Sequence, residues 1–397
     1  MHKPIEIADK VYSVGCRDWD SRDFHGYSIY EGTSYNAFLI LGEKNILIDT
    51  VKEAFAGELL SNIGRIINPK DIDILISNHT EMDHSGSIPR ILHKIGEDKP
   101  LYCSKMGAKN LKQHFNRDYN FKIVGSGEEL KIGNRTFSFL ETRMLHWPDS
   151  MFTYLVEDGI LFSSDTFGQH YAGDVNFDDQ AGDKIIPHAK KYYANILLHL
   201  SKRVQELIRD LTKMNLKINM ICPDHGIIWR ENPSKIIEAY DKWSRQEPAQ
   251  KAIVIFDSMW NSTAKMAKAI ANGIEAEQVR VKLMNTRKCH RSDIITEILD
   301  AGAIAVGSPT LNNNVFPVIA DVMTYIKGLR PANKIAAAFG SYGWTGEAVK
   351  ILNKEFETLK YDIIDEGLRV QYVPTEDDLG KCFELGVKIG QKLKERS

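Results

Sequence analysis

Paired cysteines are missing from this chain. Its 397 residues include five, Cys16, Cys103, Cys222, Cys289 and Cys382, an odd number with no C-x-x-C spacing. A disulfide framework is not expected. Neither is a zinc ribbon or a rubredoxin-type iron centre, since both need paired thiolates. Cys222 lies close to His225 but reads as a small buried hydrophobe. Net charge is also small, formally -2, which leaves no electrostatic footprint for nucleic acid or an anionic membrane. No apolar run reaches spanning length, and residues 1–9 lack the apolar core of a signal peptide. The expected location is the cytoplasm. Internal repeats and low-complexity segments are absent. The glycines at 340, 343 and 346 do not form G-x-G-x-x-G, which argues against a nicotinamide dinucleotide site.

The composition is otherwise ordinary for a globular protein, 43% hydrophobic and 26% charged. The length suits two domains. Residues 1–250 mix short strand patterns (11–14, 35–41, 45–49, 121–124, 130–140, 151–156, 159–163) with helical ones (56–66, 106–115, 186–215), as in two packed sheets with helices outside. Residues 244–251 are polar, contain Pro248, and read as one short linker. After it, strands at 252–256, 279–283, 303–306, 334–339 and about 367–373 alternate with helices at 263–275, 292–300, 316–328, 346–359 and 376–395. That alternation predicts a doubly wound parallel sheet over 251–397.

The first half is organised around His79-Thr80-Glu81-Met82-Asp83-His84, where four of six side chains are metal ligands by type. The stretch follows the apolar run 71–78 and precedes a helix start at Ser85-Gly86-Ser87. A strand-to-helix loop of this kind sits on a rigid scaffold that can aim side chains at one point. His146, Asp165 and His225 each lie just past a further strand-like run. Four loops at strand ends thus supply His, Asp or Glu.

The order H-x-E-x-D-H, then His, Asp and His on later loops, resembles the ligand pattern of the metallo-β-lactamase fold. Glutamate at position 81, in place of a second histidine, resembles the flavodiiron proteins, and the resemblance extends over nearly the whole chain. It implies an N-terminal metallo-β-lactamase-like αββα sandwich with a loop-borne two-metal site, followed by a flavodoxin-like domain. Counting the ligands gives one set of His79, Glu81 and His146, a second of Asp83, His84 and His225, and Asp165 left to bridge them. Two-His-one-carboxylate sets suit non-haem ferrous iron. In the family, the residue matching His84 is not always metal-bound. Three carboxylates against two ferrous ions leave a difference of one charge, which a bridging hydroxide closes. A near-neutral cluster tolerates a dry pocket and favours a small neutral ligand such as O2 or NO.

His25 and Tyr27, and Tyr193 in the Tyr192-Tyr193-Ala194-Asn195 segment, resemble family residues near the metals and are expected to donate protons or shape the pocket. His2, His93, His114, His188, His199 and His290 have no ligand-like spacing.

Three stretches of the second half read as an FMN site. Ser258-Met259-Trp260-Asn261-Ser262-Thr263 opens a helix with hydroxyls and N–H groups suited to a phosphate. Short flavodoxins have Thr and Gly where this chain has Trp260 and Asn261, and the flavodiiron form of the loop is closer. Ser308-Pro309-Thr310-Leu311-Asn312-Asn313-Asn314 follows the third strand, and Ser341-Tyr342-Gly343-Trp344-Thr345-Gly346 follows the fourth. All lie at the carboxyl ends that flank the switch point of such a sheet. Trp260, Tyr342 and Trp344 are candidates to border the isoalloxazine.

The expected activity is an FMN-fed diiron oxidoreductase that reduces O2 to water or NO to N2O. Its electrons would come from a separate donor protein such as rubredoxin, served by its own reductase. The resemblance also implies a head-to-tail homodimer, or a tetramer built from such dimers. The competing expectations are a binuclear zinc hydrolase with a flavodoxin-like appendage and a non-enzymatic flavin-and-iron redox sensor.

Overall fold

The computed structural model of the chain describes residues 3–396, so that His2 lies outside it. The chain divides into two compact units, Met1–Tyr192 with Lys202–Asp241, and Tyr193–Ser201 with Lys242–Ser397.

The first unit holds two facing sheets. One runs, in spatial order, Ile5–Ala8, Val11–Ser13, Phe38–Ile40, Asn45–Ile48, Ile72–Ser77, Leu101–Cys103 and Phe121–Ile123. The other runs Glu129–Ile132, Arg135–Glu141, Met151–Leu155, Ile160–Phe162 and Met220–Cys222. Strand side chains alternate between faces, and the core follows that period. Ile74 and Ile76 point inward to Phe137, Phe139, Met151, Phe162 and Cys222 between the sheets. Leu75 points outward to Leu59, Ile63, Ile91 and Leu92. Fully burying each such side chain is worth about 1.5–3 kcal/mol. On the outer face of the second sheet, Phe152 meets Phe167, which packs on Tyr240 of the helix Pro233–Arg245.

Several boundaries differ from those expected. The run 130–140 is a hairpin, because Gly133 (φ 58°) turns the chain between Ile132 and Arg135. The run 35–41 breaks at Asn36, whose side chain bonds Pro223 O and Gly226 O. Residues 186–215 are not one helix. Ile185–Tyr192 is α-helical, Tyr193–Leu197 a π-turn, Leu198–Leu200 a 3-10 turn and Ser201–Met214 α-helical.

The second unit is a parallel sheet in the order Arg280–Asn285, Ala249–Phe256, Ala301–Gly307, Ile335–Tyr342, with Asp362–Ile363 and Leu368–Gln371 beyond. Numbered along the chain this is 2-1-3-4-5, the flavodoxin-like order. The central strand Ala301–Gly307 is buried throughout, as expected for a sheet covered on both faces. Helices Ser262–Ala276 and Glu376–Glu395 approach closely where Gly273 and Gly386 meet. A Cβ on Gly386 would lie 2.1 Å from Ile270 O.

The division falls at 241/242 rather than at 250. Residues just beyond it are tied into the second unit, where Gln246 Oε1 accepts from Ala332 N at 2.7 Å. Residues 193–201 join the same unit. Asn195 accepts from Tyr325 Oη at 2.7 Å and donates to Ser292 O at 3.3 Å.

Candidate functional site

Four strand ends aim ligands at one point. Glu81, Asp83 and His84 follow Ile72–Ser77 together with His79, His146 follows Arg135–Glu141, Asp165 follows Ile160–Phe162, and His225 follows Met220–Cys222. The entry to the first loop is clamped by Asp49, which accepts from Asn78 N at 2.7 Å and Asn78 Nδ2 at 2.9 Å. Burial pushes Asp49 up to about 6, against the pull of those two bonds.

Asp165 lies between two groups. Its Oδ2 is 3.0 Å from His146 Nε2 and 3.4 Å from His79 Nε2. Glu81 Oε2 completes that side, 3.1 Å from His146 Nε2 and 3.4 Å from His79 Nε2. The other oxygen, Oδ1, is 3.2 Å from His84 Nε2 and 3.4 Å from His225 Nε2. Asp83 Oδ2 stands 3.1 Å from both of those histidine nitrogens.

This geometry fits two metal ions. Ligand atoms about 2.0–2.2 Å from a metal lie roughly 3.0–3.5 Å from one another, the spacing found here. Both oxygens of Asp83, Oδ1 of Asp165 and Nε2 of His225 are buried without a hydrogen-bond partner. Unpaired buried acceptors are costly, and a shared cation satisfies them. Each side offers two histidines and a carboxylate, and Asp165 faces histidines of both.

Without an ion, the histidines and carboxylates compensate one another. Burial pushes Glu81 up, but hydrogen bonds from His146, His25 and His79 outweigh it and leave its carboxyl well below the usual range. Asp83 and Asp165 are likewise held low by His84 and its neighbours in spite of burial. Burial lowers His79, His84 and His146, yet the adjoining carboxylates raise all three above the ordinary histidine value.

The surrounding shell orients the rings. His79 Nδ1 is 3.1 Å from Asp149 Oδ2, which also accepts from Thr80 N at 2.7 Å and Thr80 Oγ1 at 2.8 Å. His225 Nδ1 donates to Ser34 O at 2.6 Å. His25 sits in a two-residue turn with Gly26, both at positive φ, between Asp23–Phe24 and Tyr27–Ser28, the type that hairpins favour. The turn sets His25 Nε2 2.9 Å from Glu81 Oε1. Tyr27 is buried, its ring 5.4 Å from that of His170.

Tyr193 belongs to the second unit. Its hydroxyl pairs with Ser201 Oγ at 2.9 Å and its ring with Trp243. The preceding residue, Tyr192, belongs to the first unit and stands beside the cluster. The Tyr192 ring is 5.1 Å from His170 and 6.0 Å from His225, and burial together with Asp165 raises its phenol well above the ordinary value.

His170 is a participant that ligand spacing missed. Its ring is 4.6 Å from His225, its Nδ1 is 2.7 Å from Thr33 Oγ1, and its Nε2 is buried without a partner. Burial and the neighbouring His225 and His25 hold it well below the ordinary value, hence neutral. In the structure it lies in the wholly buried run that follows Asp165.

In the second unit, the helix Ser262–Ala276 begins after Asn261, which has φ 66° and makes no side-chain cap bond. Ala264 N donates to Ser258 Oγ at 3.4 Å, which leaves the N–H groups of Ser262 and Thr263 to an anion such as a phosphate monoester. Thr263 Oγ1 lies 2.8 Å from Ser341 Oγ and joins the first loop to the third. Thr345 Oγ1, 3.4 Å from Asn313 Oδ1, joins the third to the second. Asn312 and Asn313, both left-handed, turn a short hairpin between Thr310–Leu311 and Asn314–Val315. Ser308 is engaged within its own loop, accepting from Phe316 N at 2.8 Å and donating to Pro309 O at 2.9 Å. Thr310 Oγ1 accepts from Ala348 N at 3.3 Å. Trp260 and Trp344 are 84% and 81% exposed, Met259 is exposed, and Tyr342 packs against Gly346. Two bare indoles beside an uncapped helix start suit a flat ring carrying a phosphate.

Comparison with known proteins covers both units. A family model described as ODP family beta lactamase matches residues 33–226, and one described as flavodoxin matches residues 254–386. The chain is 44% identical to a nitric oxide reductase of Moorella thermoacetica, over 99% of this chain and 100% of that protein. Its structure resembles rubredoxin oxygen:oxidoreductase from Desulfovibrio gigas with a TM-score of 0.97 at 40% identity, covering 99% of each chain. It resembles the flavodiiron protein from Giardia intestinalis with a TM-score of 0.95 at 34% identity, covering 100% of this chain and 98% of that one.

Proposed function

Because the chain belongs to the flavodiiron proteins, we propose that it is an oxidoreductase that reduces O2 to water, NO to N2O, or both. The observation that carries this reading is Asp165, set between two sets of two histidines and one carboxylate, in a chain that also bears three flavin-type loops. His79, Glu81 and His146 would hold one iron and Asp83, His84 and His225 the second, with Asp165 shared between the two sets. Ser258, Ser262, Thr263 and the first turn of their helix would hold the FMN phosphate, and Trp260, Tyr342 and Trp344 would border its ring. When bound, the irons supply the reducing electrons and Lewis acidity that the reaction needs, and FMN supplies the relay from an external donor.

The remaining residues prepare the site. His25 holds the outer oxygen of Glu81. Tyr192 and neutral His170 stand beside Asp165 and His225 and keep protons within reach of the substrate. Buried Tyr27, its ring 5.4 Å from that of His170, keeps bulk water away. In this reading the first unit carries the metals and the second the flavin, with residues 193–201 and 242–250 counted with the second.

The donor is a separate small redox protein of the rubredoxin type, and the working unit is a head-to-tail homodimer in the cytoplasm. Among the described residues no helix is long and apolar enough to cross a membrane. A binuclear zinc hydrolase is less well supported, since Glu81 replaces a histidine and the flavin loops would have no task. The deciding experiment is metal and flavin analysis of anaerobically purified protein, with O2 and NO consumption under a reductant. Two zinc ions and no gas consumption would overturn the proposal.

A further inference from the structure

We infer that Asp224 is a positioning residue for His84: it accepts the Nδ1 proton and so leaves the Nε2 lone pair for the second metal. The inference rests on the reading of Asp83, His84 and His225 as a metal set. Asp224 Oδ2 and His84 Nδ1 face each other at 3.9 Å. Both atoms are fully buried, and neither has a hydrogen-bond partner. The gap is too long for a hydrogen bond, yet each atom is the oppositely suited neighbour the other lacks.

The two backbones are fixed. Asp224 N donates to Ser164 O at 2.8 Å, and Asp224 O accepts from Asn36 N at 2.8 Å. His84 O accepts from Thr50 N at 3.0 Å and Thr50 Oγ1 at 2.5 Å. Approach therefore comes from small side-chain rotations and leaves the loops in place.

The other buried histidines of the cluster set the pattern. His79 turns Nε2 to the cluster and Nδ1 to Asp149 Oδ2, and His225 turns Nε2 to the cluster and Nδ1 to Ser34 O. His84 has the same orientation, with Nε2 3.1 Å from Asp83 and 3.2 Å from Asp165. Metal-bound histidines almost always donate their other N–H to an oxygen, which fixes the tautomer. For His84, Asp224 supplies the facing oxygen. Without it, the Nε2–H tautomer ordinarily favoured by histidine would direct a proton, not a lone pair, at the second metal.

The test compares wild type, Asp224→Asn, His84→Ala and the double variant, each stripped and reloaded anaerobically with Fe(II). Iron per chain and the rate of iron release to a chelator are the readouts, with FMN content as the folding control. Asp224→Asn is expected to keep the first iron and to bind the second about 10–100-fold more weakly. In the His84→Ala background it should add nothing, because Asp224 acts through His84. A wild type with two irons and an unchanged Asp224→Asn overturns this inference alone, as does an effect that persists undiminished without His84. A wild type that binds no second metal overturns the metal reading and this inference together. A measurement on wild type stands apart from any folding defect of the variants. In zinc-loaded protein with 15N-labelled histidine, His84 should carry its proton on Nδ1, and an unprotonated Nδ1 overturns the inference.

Discussion

Asp149 stands directly behind His79, its Oδ2 3.1 Å from Nδ1, while the opposite nitrogen of that ring faces Glu81 and Asp165. The carboxylate is itself secured by Thr80 and by Asn110 Nδ2 at 3.1 Å. Partners of this kind set ring angle and tautomer, and their loss typically lowers metal affinity about 10–100-fold. Asp149→Ala should therefore weaken iron binding at the set proposed from His79, Glu81 and His146 by that factor. Iron titration of the stripped protein checks it, and wild-type affinity would remove Asp149 from the site.

Asp165→Ala should abolish O2 and NO consumption while FMN stays bound. The substitution removes the one carboxylate that meets both metal sets and leaves the second unit's loops untouched. Iron analysis, flavin absorbance and gas consumption on one preparation decide it. Wild-type turnover would exclude Asp165 as the bridge.

Loading iron should release protons. In the ion-free protein His79 and His84 are raised well above the ordinary histidine value, so they carry protons at neutral pH, His146 shifts the same way, and ligation requires the neutral ring. Calorimetric titration in buffers of different ionisation enthalpy measures the release, and buffer-independent heats would contradict it. The same shifts fix the sign of the ion-free protein's stability. The raised histidines contribute fully below their unfolded value of about 6.5 and less as pH rises through their folded values. The lowered Glu81, Asp83 and Asp165 contribute fully above about 4 and less as pH falls through theirs. Ion-free protein should thus be most stable between roughly pH 4 and 6.5, and metal should extend that range upward. Denaturant midpoints across pH, with and without Fe(II), provide the measurement.

Replacing Ser262 and Thr263 together by alanine should weaken FMN binding about tenfold or more, on the scale of one to two lost hydrogen bonds to a charged group. The change also removes the Thr263–Ser341 bond that joins two of the loops. Flavin fluorescence on dialysis reads the affinity, with iron content as the control. Undiminished retention would move the phosphate elsewhere.

Electron transfer between chains can be tested by complementation. One chain lacks iron through His79→Ala with Asp165→Ala. The other lacks flavin through the alanine pair above. Each should be inactive alone, and heterodimers of the two should regain activity. Heterodimers verified by mass but inactive would refute transfer across a dimer.

The sequence was most informative where chemistry and strand ends coincide. His79, Glu81, Asp83, His84, His146, Asp165 and His225 are few in type and follow apolar runs, and the structure brings all seven together. The shell around them left less trace. Asp149 and Asp224 are single carboxylates whose meaning depends on a facing ring far away in sequence. Tyr192 and Tyr193 are neighbours, and the π-turn that begins at Tyr193 decides which ring faces His170. Such turns are set by packing rather than by local pattern. The boundary near 250 was read from a polar stretch, whereas Gln246 shows that part of this stretch is anchored in the second unit.

Residues 193–201 have a consequence for how the molecule can be cut. They belong to the second unit but lie in sequence between two stretches of the first, so the chain passes between units at 192/193, 201/202 and 241/242. A gene fragment ending near 241 would carry a nine-residue piece stripped of its partners Ser292 and Tyr325. A fragment starting near 242 would lack that piece altogether. One protease nick would not free either unit, because two covalent passages would survive it. Separate expression of the halves calls for a short loop in place of 193–201 in one fragment and a graft of that segment onto the other.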